Sequence, residues 1–238
     1  MFENHLNIRV ALVTEANRGI GFESCRQFAL EGFTVILTAR SPEKGQKAVR
    51  KLQEENLKVN FCQLDVTDPE SIRLAVEFVQ NEYGRLDVLV NNAGISLDEG
   101  KRFTDISPDI LRETLDVNLL GVFRVTHAFL PFMKKKGFGR IINISSGLGS
   151  FASLSGGTGA YKLSKYALNG MTRIMADEVR GGDIRINALN PGWVQTDMGG
   201  KHAPRTPIQA ALSIVQLALQ HRDGPNGEFI KDNQVIRF

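Results

Sequence analysis

Cysteine is nearly absent from the chain. Its two cysteines, Cys25 and Cys62, each lie in apolar periodic surroundings. That pattern excludes a disulfide framework and a thiolate metal site, and it predicts small buried side chains in a reducing compartment. Long apolar runs are missing as well: nothing approaches the roughly 20 apolar positions that a membrane-spanning helix needs. Met1 to Leu6 carry Glu3 and no apolar core, so no signal peptide and a cytoplasmic location are expected. An excess of one charge is also lacking, with a net charge of only +3. The single tight basic run, Lys134-Lys135-Lys136 before Gly137, reads as the last turn of a helix ended by glycine. No aromatic or further basic residues extend it, which argues against nucleic acid as a partner. Repeats, low-complexity tracts and linkers are absent.

What the chain does contain is an alternation. With 42% hydrophobic and 23% charged residues, a chain of 238 can bury a sizeable core unaided. Residues 8–14 form a continuous apolar, β-rich run, as a strand buried on both faces should. Further strands are predicted at 33–39, 58–62, 86–90, 140–144, 184–189 and 228–231. Helices are predicted between them, including 42–56, a long one at 108–136, another at 158–180, and 207–220. Residues 95–107 read as a polar loop with a short turn. This order predicts an α/β protein with one domain, 1–238, built on a doubly wound parallel sheet (a Rossmann fold) of about seven strands with helices on both faces.

The first strand runs into Thr14-Glu15-Ala16-Asn17-Arg18-Gly19-Ile20-Gly21. A glycine-rich turn opening a helix brings backbone N–H groups and the positive helix end to a pyrophosphate. Gly19 and Gly21 are in place around Ile20, but Glu15 stands where the first glycine is expected. The end of the second strand, Thr38-Ala39-Arg40-Ser41, lacks the acid that would bond an NAD ribose. Arg40 there, with Arg18 in the loop, suits a 2′-phosphate by charge and fork geometry. Glu15 argues the other way by repulsion. NADP is the expected cofactor, with NAD left open.

Within the helix at 158–180, Tyr161 and Lys165 are one turn apart on the same face. A cation there should draw the phenol, with its ordinary pKa of roughly 10, toward working pH. Fifteen positions before Tyr161, Ile144-Ser145-Ser146-Gly147 ends an apolar run with two hydroxyls able to orient an oxygen beside the phenol.

Together these residues resemble the short-chain dehydrogenase/reductase superfamily over nearly the whole length, and most closely its carbonyl-reductase group. The matching stretches are Leu37-Thr38-Ala39-Arg40, Leu64-Asp65-Val66-Thr67, Val90-Asn91-Asn92-Ala93-Gly94, Asp116-Val117-Asn118, Asn143-Ile144-Ser145-Ser146, Tyr161-x-x-x-Lys165 and Asn190-Pro191-Gly192-Trp193-Val194. The resemblance implies roles. Tyr161 would be the acid/base and Ser146, rather than Ser145, would bond the carbonyl oxygen. Lys165 would lower the tyrosine pKa and bond the nicotinamide ribose, and Asn118 would hold a water in the proton relay. Asp65 would accept from the adenine amine beside the Val66 backbone. Asn92 would support the adenosine ribose, while Val194 and Thr196 would meet the carboxamide or pyrophosphate.

The activity implied is reversible reduction of a ketone or aldehyde by NADP(H). The alternatives are an NAD(H)-dependent alcohol dehydrogenase on the same fold and a non-catalytic cofactor-binding regulator. Phe151, Leu154, Trp193 and Met198 are candidate substrate-pocket residues, and no metal is expected. The interval from Ser146 to Tyr161 is much shorter than in the monomeric animal carbonyl reductases. Their inserted segment covers faces that other members use to associate, so a homodimer or homotetramer is expected.

Overall fold

The computed structural model describes residues 9–179 and 181–238; the predicted strand start at Ile8, the helix end at Arg180 and the stretch Met1 to Leu6 lie outside them. One sheet carries every strand among the described residues. Its first half comprises β1 (Val10–Val13), β2 (Thr34–Ala39), β3 (Val59–Gln63) and β4 (Val88–Asn91). Its second half comprises β5 (Phe138–Ile144), β6 (Asp183–Leu189), β7 (Phe229–Lys231) and β8 (Gln234–Ile236). The spatial order is β3-β2-β1-β4-β5-β6-β7-β8. All neighbouring pairs are parallel except β7–β8. The order reverses between β1 and β4, the switch point beside which open α/β sheets bind their ligands.

The helices are α1 (Gly19–Leu30), α2 (Pro42–Glu54), α3 (Pro69–Glu82), α4 (Pro108–Leu115), α5 (Val122–Lys136), α6 (Gly159–Glu178) and α7 (Pro207–Ala218). Each face of the sheet has its own core. Cys25 and Phe28 of α1, Leu52 of α2 and Ile214 of α7 pack on Val13, Leu37 and Val90. On the other face Val79 of α3 and Phe129 and Met133 of α5 pack on Leu12, Leu89 and Ile141. The central strands are apolar at successive positions because both of their faces are covered. Both cysteines are buried and unbridged, and burial pushes the Cys62 thiol up to about 11.

Several caps follow directly from the sequence. Ser41, Asp68, Ser107 and Thr206 each bond a first-turn N–H and are each followed by proline. Gly137 ends α5 in the left-handed region at φ 72°, beside the lysine triplet that suits the negative end of the helix.

The structure departs from expectation in two places. The helix expected at 108–136 is interrupted by a π-turn, Asp116–Gly121. The sheet also gains an eighth strand, antiparallel, at its edge. Its turn, Asp232-Asn233, has φ 49° and 61°, the two-residue conformation that joins tight hairpins. Aspartate and asparagine are residues that tolerate it, so the signal was present but very short.

Candidate active site

The carboxyl ends of β1, β4, β5 and β6 open into a crevice of about 840 Å³. One end is the turn after β1. Arg18, the residue before α1, is extended and makes no side-chain cap to the helix. The first-turn N–H groups of Gly19, Ile20 and Gly21 therefore have no side-chain cap from Arg18, beside a wall of the crevice formed by Gly19 and Ile20. Gly19 is left-handed at φ 55°. A Cβ on Gly21 would lie 2.6 Å from Asn92 Nδ2 and 2.8 Å from Ala16 Cα. Only glycine lets the helix start this close to the turn. The site thus has the uncapped helix end and tight glycine cradle that a dinucleotide phosphate needs.

Asn92 serves that cradle mechanically. Its Nδ2 donates to the carbonyls of Thr14 at 2.9 Å and Glu15 at 3.0 Å, so it ties the end of β4 to the turn after β1. Thr196, after β6, closes the opposite wall, with its Cγ2 3.3 Å from a Cβ built on Gly19. Its hydroxyl accepts the Gly199 N–H at 3.0 Å. Val194 is buried and bridges to Arg205. Asp65 accepts from the backbone N–H of Thr67 at 2.9 Å and from its hydroxyl at 2.7 Å. Val66 is buried against the π-turn, where a Cβ on Gly121 would meet its Cγ2 at 2.8 Å. Arg40 is exposed at the end of β2, and its side chain has no ion pair among the described residues. Arg18 is held differently from that expectation: it pairs with Glu15 at 3.2 Å and also with Asp197.

The other end of the crevice is built by β5 and α6. Tyr161 stands in the first turn of α6 and Lys165 one turn on, with the ammonium 5.8 Å from the phenol ring centroid. Lys165 is buried and donates to the Ile144 carbonyl at 2.8 Å. Burial pulls the lysine down to about 8, opposed by the negative charge of Glu15. The phenol does not follow the expected direction. Burial raises Tyr161, and the group that opposes the rise is the hydroxyl of Ser146, bonded to it, rather than the lysine.

The two serines both line the crevice but have different partners. Ser145 is buried and its hydroxyl donates to Asn169 Oδ1 at 2.7 Å. Ser146 lies in the crevice wall, where its hydroxyl accepts the Leu148 N–H at 3.2 Å and meets Tyr161.

Asn118 is fully buried in the π-turn. Its Oδ1 accepts the Ile95 N–H at 2.8 Å, while its Nδ2 donates to the Ile95 carbonyl at 2.9 Å and to Ser164 Oγ at 3.0 Å. Ser164 in turn donates to the Tyr161 carbonyl at 2.7 Å. The extra backbone turn thus aims one amide at both the loop after β4 and the tyrosine helix.

Two participants, Asp98 and Asp197, were not apparent from the sequence. Asp98 is buried and accepts the Ala160 N–H at 2.6 Å, capping α6 from a distant loop. It does so because the residue before α6, Thr158, is left-handed at φ 54° and makes no cap of its own. The Glu15 carboxylate reaches the Gly94 N–H at 3.3 Å, and Asp197 holds Arg18. Contacts across such sequence distances leave no periodic trace. Of the four apolar candidates, Trp193 and Met198 line the crevice, together with Leu148. Phe151 stands outside it, with its ring 6.2 Å from Tyr166, and Leu154 is not in the lining. Among the described residues there is no cluster suited to a metal ion and no helix long and apolar enough to cross a membrane.

Comparison with known proteins places these features in company. The family profile for short chain dehydrogenase matches residues 9–206. The NADPH-dependent carbonyl reductase 1 of Sus scrofa is 38% identical, over 98% of this chain and 95% of its own length. The (+)-neomenthol dehydrogenase of Arabidopsis thaliana is 35% identical, over 97% of this chain and 98% of its own. The structure of an NADPH-bound carbonyl reductase from chicken fatty liver superposes with a TM-score of 0.86 at 31% identity, covering 98% of this chain and all of that one.

Proposed function

The chain belongs to the short chain dehydrogenase family, and from that premise we propose that it reversibly reduces ketones or aldehydes to alcohols with NADP(H), using Tyr161 as general acid and base. The observation that carries the reading is the convergence of Tyr161, Ser146 and Lys165 on the same crevice as the glycine cradle at α1. A bound nicotinamide supplies a hydride to the carbonyl carbon. Everything else is the work of this chain. Ser146 donates to the carbonyl oxygen and holds it beside the phenol. Tyr161 gives that oxygen its proton, and the phenolate left behind sits next to the Lys165 ammonium. One of the three lysine hydrogens is spent on Ile144, which leaves two for the ribose hydroxyls. Asn118 supports the relay through its clasp on Ile95 and Ser164.

The cofactor is held by the first-turn N–H groups of Gly19, Ile20 and Gly21, with Asn92, Val194 and Thr196 shaping the walls and Asp65 and Val66 at the adenine. Arg40 meets the 2′-phosphate. Arg18 is the second cation for that phosphate; it lines both the main crevice and a recess with Lys44, Lys47 and Lys51. Relatives that carry NADPH in their names support the choice of NADP over NAD. Trp193 and Met198 present an exposed apolar wall to the substrate.

The test is an assay of ketones and aldehydes with NADPH and NADH, run beside Tyr161→Phe. Turnover with NADPH, lost by about 10²–10⁴-fold in the variant while NADPH still binds, is the expected result. An undiminished rate in the variant excludes the mechanism. Arg40→Asp should weaken NADPH binding far more than NADH binding, and equal losses would exclude the assignment of Arg40.

A further inference from the structure

Three acids line the crevice, Glu15, Glu99 and Asp197, and this reaction uses none of them. Glu15 follows β1 with its backbone at φ 49°, a left-handed region that is strained for a non-glycine residue. Its side chain is largely covered, at 21% exposure, and turned into the crevice. One carboxylate oxygen accepts the Gly94 N–H at 3.3 Å and the other pairs with Arg18 at 3.2 Å. The same guanidinium pairs with Asp197, beyond β6. Asp197, Arg18 and Glu15 therefore form a row of alternating charge between the wall after β6 and the wall after β4. The row ends at Gly94, where a Cβ would stand 3.4 Å from Lys165 Nζ. The charge on Glu15 is felt at Lys165, where it partly opposes the downward pull of burial on the ammonium.

A dinucleotide with its phosphates at the start of α1 and its nicotinamide before Tyr161 has to pass between Gly19 and Lys165. The Glu15 carboxylate lies in that passage. We propose that Glu15 is a built-in competitor of the cofactor. It occupies the Gly94 N–H and the Arg18 guanidinium with a negative charge, and a dinucleotide binds only as that charge is turned out of the way. The inference rests on the crevice being the cofactor site. It makes Glu15 the residue that sets affinity for either dinucleotide, because the pyrophosphate it opposes is common to both. NADPH bears the larger penalty, because Arg18 is also withheld from the 2′-phosphate.

Titration of nicotinamide fluorescence with wild type, Glu15→Gln and Glu15→Gly tests this. Glutamine keeps the side-chain size and removes the charge; glycine also removes the backbone penalty. Both variants should bind NADPH about tenfold more tightly than wild type or better, a change of about 1.4 kcal/mol, with a smaller gain for NADH. Thermal melts of the free proteins establish that each variant is folded, and Glu15→Ala replaces either one that is not. Wild type that binds NADPH as tightly as the charge-free variants, or more tightly, overturns the role of Glu15 and leaves the cofactor site standing. Folded variants and wild type that all fail to bind either dinucleotide overturn the cofactor reading itself, and the inference with it.

Discussion

A buried lysine and a half-buried tyrosine sit one turn apart, and removal from water acts on them in opposite senses. It discourages the ammonium and discourages the phenolate, so the lysine loses its proton earlier, and the tyrosine later, than either would in water. For Lys165 the result is a value of about 8. As pH rises through that value the charge facing the ribose and the nascent phenolate disappears. The expected outcome is that kcat/KM for carbonyl reduction falls above about pH 8, since this ratio reports groups of the free enzyme. A pH profile of kcat/KM flat to pH 9.5 would contradict it. Stability should move the other way. Between about 8 and the ordinary lysine value of 10.5 the unfolded chain binds the proton that the folded chain has lost. The unfolding free energy therefore rises with pH across that window. Urea unfolding at several pH values should show the rise in wild type and a weaker one in Lys165→Met.

At the scale of the element, α6 depends on a residue far from it in sequence. Asp98 supplies the N-terminal cap that Thr158 does not, at the turn carrying Tyr161. Asp98→Ala should cost about 1–3 kcal/mol of stability, as expected when a buried N–H loses its acceptor, and should lower kcat by moving the phenol. Asp98→Asn keeps an acceptor and should recover most of both, as denaturant melts and steady-state rates would read. At the opposite end of the crevice, Gly21→Ala should weaken NADPH binding by pushing apart Asn92 and the turn after β1. Calorimetric titration measures that loss. These two elements differ in how far sequence revealed them. Gly21 was legible because a strand, a glycine turn and a helix are contiguous. The Tyr161–Lys165 pair was legible because a helix repeats every turn. Asp98 was not, because it is a single polar residue in a loop whose partner is decided only by the fold. The π-turn at Asn118 was hidden for a related reason. Its sequence is compatible with an ordinary helix, and the departure comes from the amide's attachment to Ile95 and Ser164.

For the whole molecule, the alternation of apolar runs and amphipathic stretches already contained the parallel sheet and its two cores. The short edge strand β8 escaped because three residues, exposed on most sides, carry almost no pattern. Association between copies is the remaining question at this scale. Leu120, Phe123, Tyr166 and Ile174 are 37–62% exposed on the π-turn, α5 and α6. Such an apolar surface suits a homodimer or homotetramer. Sedimentation or light scattering should return a multiple of 26.3 kDa, and Ile174→Lys or Phe123→Lys should shift it toward one copy.

The order of the strands also bears on synthesis. The first strand made ends in the middle of the sheet, beside a partner that the ribosome delivers more than seventy residues later. Val194 and Thr196 emerge later still. A nascent chain stalled before them would own the cradle at α1 but only one wall around it. Ribosome-arrested chains ending near residue 180 should therefore retain no dinucleotide, whereas released full-length chains should.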